Sequence, residues 1–359
     1  MKIHFIKKIQ QEELTKFISF LLSSKEKEIG NLSDHLVIIG ITNIKVSSLT
    51  TPEDEEKKEV VSSGQYYQDF LKELPRYYDK VLAREPIPSN TYLELKFAMF
   101  NLMDNIRGKH HEFLYLASLK KYDRILPHSL NVCLLSVQLA VSLGFPQEDR
   151  LDIGMAALFH DIGRVLRARL DADARSKGQK AAGTEESHAR LGAKLLLIHE
   201  ESLGMLPAIV ADAHHRRYEK GTGPDIPYPQ EPHVASLIIA ICDCYDTLCQ
   251  RWTDRQDYSP KRIYEVLQKN KNFFHPQLLQ KFFKVTGVWP VGTIVALNDG
   301  KIAVVREENE GDMSCPKVEV IAPPDAAGQF IDMKENKSAM TITRALNPFS
   351  EGQAYFNLL

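Results

Sequence analysis

Residues 150–166, RLDIGMAALFHDIGRVL, decide how the chain folds. Apolar residues recur at spacings of three and four, the period of a helix with a buried face, and a strand would need alternation instead. Into that apolar pattern the chain inserts a histidine and an aspartate side by side, His160 and Asp161. A carboxylate in such surroundings is costly unless paired or bound to a cation. Adjacent helix positions lie roughly 100° apart, so both side chains can face one wide seam.

The same helical spacing extends outward in both directions. TYLELKFAMFNLMDNI, SLNVCLLSVQLAVSLG, SHARLGAKLLLIHEESLG, LPAIVADAHHRR, HVASLIIAICDCYDTLCQ, SPKRIYEVLQKN and HPQLLQKFFKVTG share it, and Gly, Pro or Asn punctuates them. The predicted domain is a helical bundle over residues 91–286, a scaffold that points polar groups inward from several helices. Before it, residues 1–90 read as mixed α/β. QQEELTKFISFLLSS has helical spacing, LVIIGITNIKVSSL reads as one or two strands, and TPEDEEKKE is a solvated charge run. REPIPSN marks the boundary. After Trp289 the period shortens to two. Asn298-Asp299-Gly300 predicts a hairpin turn between IVAL and KIAVV, so residues 287–359 form a small β-rich module.

Bulk composition narrows the partners. Lys and Arg number 45 against 47 acidic residues, which gives no overall attraction to DNA or anionic membrane; an anionic ligand needs a local cluster. The five cysteines form no CxxC pair and suit buried thiols in a reducing cytoplasm. No apolar run reaches the roughly 18 residues of a membrane span, so direct membrane insertion is not expected.

Polar residues recur where helices have no need of them. His128 precedes one helix, His188 opens another, His214 and His215 stand together, and Asp243 interrupts IIAICDCYDTLC. His128, His160, Asp161 and Asp243 suffice for one cation; His188, His214 and His215 offer imidazoles to a second, with Asp161 able to bridge. Imidazole with carboxylate suits iron, manganese or zinc, and the lack of cysteine ligands argues against a closed structural zinc site. Two cations about 3.5–4 Å apart can activate water and grip both oxygens of a phosphodiester.

HSLNV (128–132), HDIGR (160–164), HARLGAKLL (188–196), HHRR (214–217) and DCYDTL (243–248) stand in the order of the HD-GYP motifs, and the chain resembles that branch of the HD-domain phosphohydrolases. The resemblance covers residues 95–286, and WPVGTIVALNDGKIAVV is similar to a small module that often follows the domain. It implies a helical core, two divalent metals, iron or manganese with zinc as a third candidate, and hydrolysis of cyclic di-GMP to pGpG, with GMP as a further product. It also implies a cytoplasmic protein of bacterial second-messenger signalling, with a protein partner contacted through residues 1–90. By the same resemblance Asp161 and Arg164 are catalytic, and the substrate is held by Arg164, by Arg251 or Arg255 in competition for one role, and by Tyr228 as a displaced substitute for the missing Tyr-Pro.

The chain departs from the pattern at four places. Arg164 replaces the usual lysine, and Arg216 replaces the glutamate of HHE. After Gly221-Thr222-Gly223 the expected Tyr-Pro is Pro224-Asp225, with another Tyr-Pro at Tyr228-Pro229. Arg124 stands where three-metal members carry an acid, which leaves two metals as the expectation, with Asp123 adjacent. A non-catalytic cyclic-dinucleotide sensor and a hydrolase of another phosphate ester are the alternatives.

Overall fold

The computed structural model describes residues 2–5, 44–47, 63–118, 125–178, 187–218, 232–254, 259–309, 311–346, 351–352 and 354–355. Strands β1 (Lys2–Phe5) and β2 (Ile44–Ser47) pair antiparallel, Lys2 opposite Ser47. The helix expected in QQEELTKFISFLLSS and the charge run at 51–59 lie outside the described residues.

The bundle comprises α1 (Ser63–Leu82), α2 (Ser89–Ser118), α3 (Ile125–Ser142), α4 (Gln147–Phe159), α5 (Ile162–Ser176), α6 (His188–Leu197), the single turn α7 (Glu200–Leu203), α8 (Leu206–Ala213), α9 (Val234–Asp254), α10 (Pro260–Lys269) and α11 (Pro276–Thr286). Helix α3 is its axis: residues 128–140 are buried on every face. Such a helix must be enclosed, and α4, α9, α2 and α11 surround it. Among the described residues it is the one helix long and apolar enough to cross a membrane, and here it is a core helix.

One apolar cluster runs from Tyr67 to Phe283. It includes Leu74, Tyr78 and Val81 of α1, so the helical core reaches back beyond residue 91. The Tyr78 hydroxyl donates to the Leu158 carbonyl at 2.6 Å and lies 2.9 Å from Ser129 Oγ, while its ring packs on Phe159 at 5.3 Å. Helix α1 thereby braces the chain immediately behind His160.

Local chemistry sets the helix ends that matter here. Ser187 caps α6 by accepting from the Arg190 amide, which fixes His188 as the first helical residue. Pro207 opens α8, where its missing N–H costs nothing. The expected unbroken helix through HDIGR is instead two: α4 ends at Phe159, Asp161 leaves helical geometry (φ −103°, ψ 12°), and α5 starts at Ile162. The apolar period continues across the break, with Leu158 and Phe159 buried before it and Ile162, Gly163 and Leu166 after it.

A five-stranded antiparallel sheet in the order β6-β5-β4-β3-β7 forms the C-terminal module, from β3 (Ile294–Leu297), β4 (Ile302–Glu307), β5 (Lys317–Ala322), β6 (Phe330–Asp332) and β7 (Ile342–Ala345). The Asn298-Asp299-Gly300 turn falls between β3 and β4 as the sequence predicts, with Gly300 at φ 87°. The sheet has its own core around Trp289, Val305 and Val320, and Tyr264 and Met313 pack against both cores.

Candidate metal centre

All seven residues expected as ligands converge on one site. The donor atoms of Asp161, His188, His214 and His215 lie within 4.8 Å of one another, and so do those of His128, His160 and Asp243. Each element supplies its share: His128 from the first turn of α3, His160 and Asp161 from the α4–α5 break, His188 from the start of α6, His214 and His215 from the end of α8, and Asp243 from mid-α9.

Asp161 stands between the two groups. Its Oδ1 lies 3.2 Å from His188 Nε2 and 3.6 Å from His214 Nε2. Its Oδ2 lies 3.8 Å from His128 Nε2, 3.7 Å from His160 Nε2 and 2.8 Å from Arg164 Nε. The helix break makes this possible, since it turns Asp161 away from a helical position and lets its two oxygens face different partners.

The imidazoles are oriented from behind. His160 Nδ1 lies 2.7 Å from the Ala157 carbonyl, and His214 Nδ1 lies 2.8 Å from the Ala211 carbonyl. A carbonyl only accepts, so each Nδ1 must carry the proton and each Nε2 presents a lone pair inward. His160 Nε2, His214 Nε2 and Asp161 Oδ1 are buried with no hydrogen-bond partner. Orphaned buried polar atoms cost about 1–3 kcal/mol each, so three converging acceptors make a candidate site for a cation. The donor set fits: neutral imidazoles and carboxylates are ligands of divalent transition metals.

Charge agrees with that reading. Burial pushes His160 down to about 4, against the opposing pull of Asp161 and Asp243, so it is neutral and able to ligate. Burial alone would raise the Asp161 carboxyl, but the facing His188 and His214 outweigh it and hold it well below the usual carboxylate range. Burial also works against ionisation of Asp243, and His128 and His160 overcome it. His128 is depressed by burial yet raised to about 9 by Asp243 and Asp246, so a cation entering beside it displaces a proton.

The site is graded in access. His160, Asp161 and His214 are buried, His188 is half-buried and His215 is exposed, so the mouth lies on the His188–His215 side. Arg164 stands near it with its side chain 48% exposed. Beyond His215 the backbone leaves the site. Arg216 pairs with Asp212, the Arg217 guanidinium lies 4.1 Å from the Phe273 ring centroid, and the Tyr218 amide donates to the Phe273 carbonyl. The arginine that replaces glutamate therefore holds the end of α8.

Tyr228, Arg255 and the Asp123-Arg124 pair lie outside the described residues, and so does the Arg251 side chain, although its backbone belongs to α9. One residue escaped the sequence reading. Asp246 Oδ2 lies 2.6 Å from His128 Nδ1, on the opposite side of the ring from Asp243. Its spacing from Asp243, one helical turn on, was the available signal.

The facing helices of the bundle bring five histidines and two aspartates together as a candidate metal centre. Residues 125–248 match the HD domain family. The chain is 29% identical over 214 residues to a cyclic di-GMP phosphodiesterase of Pseudomonas aeruginosa, covering 58% of this chain and 50% of the relative. A cyclic di-GMP phosphodiesterase of Thermotoga maritima is 22% identical over 225 residues, 61% of this chain and 57% of the relative. The chain thus spans about half the length of the curated relatives it matches. An HDG"Y"P protein of Bdellovibrio bacteriovorus has a TM-score of 0.48 at 14% identity, covering 77% of this chain and 81% of that one.

Proposed function

We propose that the chain is a dinuclear, metal-dependent phosphodiesterase that opens cyclic di-GMP to linear pGpG, with GMP as a further product. The observation that carries this reading is Asp161, whose two oxygens face two separate donor groups. His128, His160 and Asp243 with Asp161 would hold one cation; His188, His214 and His215 with Asp161 would hold the other. Divalent ions there, iron or manganese with zinc as a third candidate, would supply Lewis acidity to a phosphodiester and lower the pKa of water.

The chain's own residues do the remaining work. Buried His160 and His214, tied through Nδ1, keep their lone pairs aimed without reorganisation. Arg164 offers a guanidinium at the half-exposed rim, where its fork matches two phosphate oxygens. One of Arg251 and Arg255, with Tyr228, is assigned to the nucleotide, and residues 1–90 to a signalling partner.

The test is turnover of cyclic di-GMP by protein stripped of metal and reloaded with Mn²⁺ or Fe²⁺, with metal content measured. Formation of pGpG at two ions per chain is expected. Tight binding without turnover makes the protein a receptor. No binding or turnover at full metal occupancy removes cyclic di-GMP as the ligand, and a panel of phosphate esters then identifies what the site accepts.

A further inference from the structure

His128 is clamped between two carboxylates of one helix. Asp243 Oδ1 lies 3.1 Å from its Nε2 and Asp246 Oδ2 lies 2.6 Å from its Nδ1. Asp243 and Asp246 are three residues apart on α9 and therefore share a face. Asp243 is a member of a donor group; Asp246 belongs to neither.

The Asp246 carboxylate is 1% exposed, and its other oxygen has a partner of its own. Asn131 Nδ2 donates to Asp246 Oδ1 at 3.2 Å, and the Tyr67 hydroxyl donates to Asn131 Oδ1 at 2.8 Å. Asn131 is fully buried and Tyr67 is 7% exposed. A continuous chain of hydrogen bonds thus runs from α1, through α3 and α9, to His128. It has one consistent polarity: the tyrosine donates, the amide accepts and passes its own donor on, and the carboxylate accepts from both sides.

We propose that Asp246 is the positioning residue of His128, with Asn131 and Tyr67 as its support. Resting on the reading of the seven-residue cluster as a metal site, this goes further by assigning a residue outside that cluster. A carboxylate at Nδ1 keeps that nitrogen protonated, so the proton that leaves when a cation enters comes from Nε2, whose lone pair then faces the donor group. It also makes His128 a stronger donor than His160 and His214, which bear neutral carbonyls at the same position. Through Tyr67 the arrangement ties α1, the first described helix after the N-terminal strands, to one ligand of the centre.

The test is made on the full chain with Asp246→Asn and Tyr67→Phe. An amide at 246 has one acceptor for two donors, His128 Nδ1–H and Asn131 Nδ2–H, so the clamp loses its polarity. Two readouts are taken: Mn²⁺ affinity, and the ¹⁵N side-chain spectrum of His128 in metal-free protein at about pH 10, above its value of about 9, where the ring is neutral and the spectrum reports the tautomer. Asp246→Asn is expected to weaken Mn²⁺ binding about 10–100-fold and to populate the Nε2–H tautomer. Tyr67→Phe, which leaves the carboxylate in place, moves both readouts in the same direction by a smaller factor.

Wild-type affinity and an unshifted tautomer in folded Asp246→Asn overturn the proposal. Should that variant fail to fold, the same null result in Tyr67→Phe overturns it. If the wild-type chain binds no Mn²⁺, the metal reading falls, while the tautomer of His128 in the variants still decides the role of Asp246.

Discussion

A β-carbon on Gly163 would lie 1.9 Å from the carbonyl oxygen of His188, and 2.6 Å from the Gly192 amide nitrogen. Helices α5 and α6 therefore touch backbone to backbone, two residues after Asp161 and at His188 itself. The contact sets the 3.2 Å approach of Asp161 Oδ1 to His188 Nε2. Backbone atoms cannot rotate out of the way as side chains can. Gly163→Ala is expected to push the helices apart, destabilise the protein by about 1–3 kcal/mol or more, and reduce metal content. At Gly192 the nearest atom is Gly163 N at 3.2 Å, so Gly192→Ala is the milder change. Thermal denaturation with metal analysis of both variants checks the order, and equal effects would remove the argument.

Asp161→Asn keeps the shape of the side chain and removes the charge that both donor groups share. An amide also puts a donor where one group needs an acceptor. Loss of at least one ion per chain and a fall in phosphodiester hydrolysis of more than about 100-fold are expected. Wild-type turnover at wild-type metal content would show that Asp161 does not bridge.

The seven converging residues were legible because each is a polar residue placed where a helix has no use for it. Geometry hidden from the sequence lies in how they are turned. Ile162, Gly163 and Leu166 continue the apolar spacing of α4, so the break at Asp161 leaves no trace in the pattern, although it is what aims the two carboxylate oxygens. Asp246 was overlooked because DCYDTL holds two acids and composition cannot tell which faces which ring nitrogen. Helix α1 falls within the stretch before residue 91 that reads as mixed α/β; it carries Pro75 in its interior and buries Leu74, Tyr77 and Tyr78 around it.

Arg164 lies 2.8 Å from Asp161 through Nε, yet its side chain is 48% exposed. The guanidinium is largely solvated although its partner carboxylate is buried, and the role proposed for it is substrate binding rather than holding Asp161. Arg164→Ala is expected to leave unfolding and metal content nearly unchanged and to lower kcat/KM about 10–100-fold. Arg164→Lys keeps the charge without the planar fork and should fall between. A large loss of metal in Arg164→Ala would instead assign the arginine to holding Asp161.

Glu308, just beyond β4, carries a carboxyl that burial pushes up from 4.5 to about 7. Its Oε1 is buried without a hydrogen-bond partner, beside Gly287 at the end of α11, where an added β-carbon would approach it to 2.8 Å. Tyr245 of α9 also feels the charge. The residue thus lies in the seam between the helical bundle and the β module. Below about pH 4.5 both folded and unfolded chains hold the proton, and the group contributes nothing. Between about pH 4.5 and 7 the folded chain keeps a proton that the unfolded chain has lost, so stability falls as pH rises; above 7 the full penalty persists. Glu308→Gln removes the titration while filling the same space. Its stability advantage over the wild type should therefore grow by about 2–3 kcal/mol between about pH 5 and pH 8. Denaturant unfolding at the two pH values measures it. An advantage that is constant with pH would mean that the Glu308 carboxyl is already solvated in the folded protein.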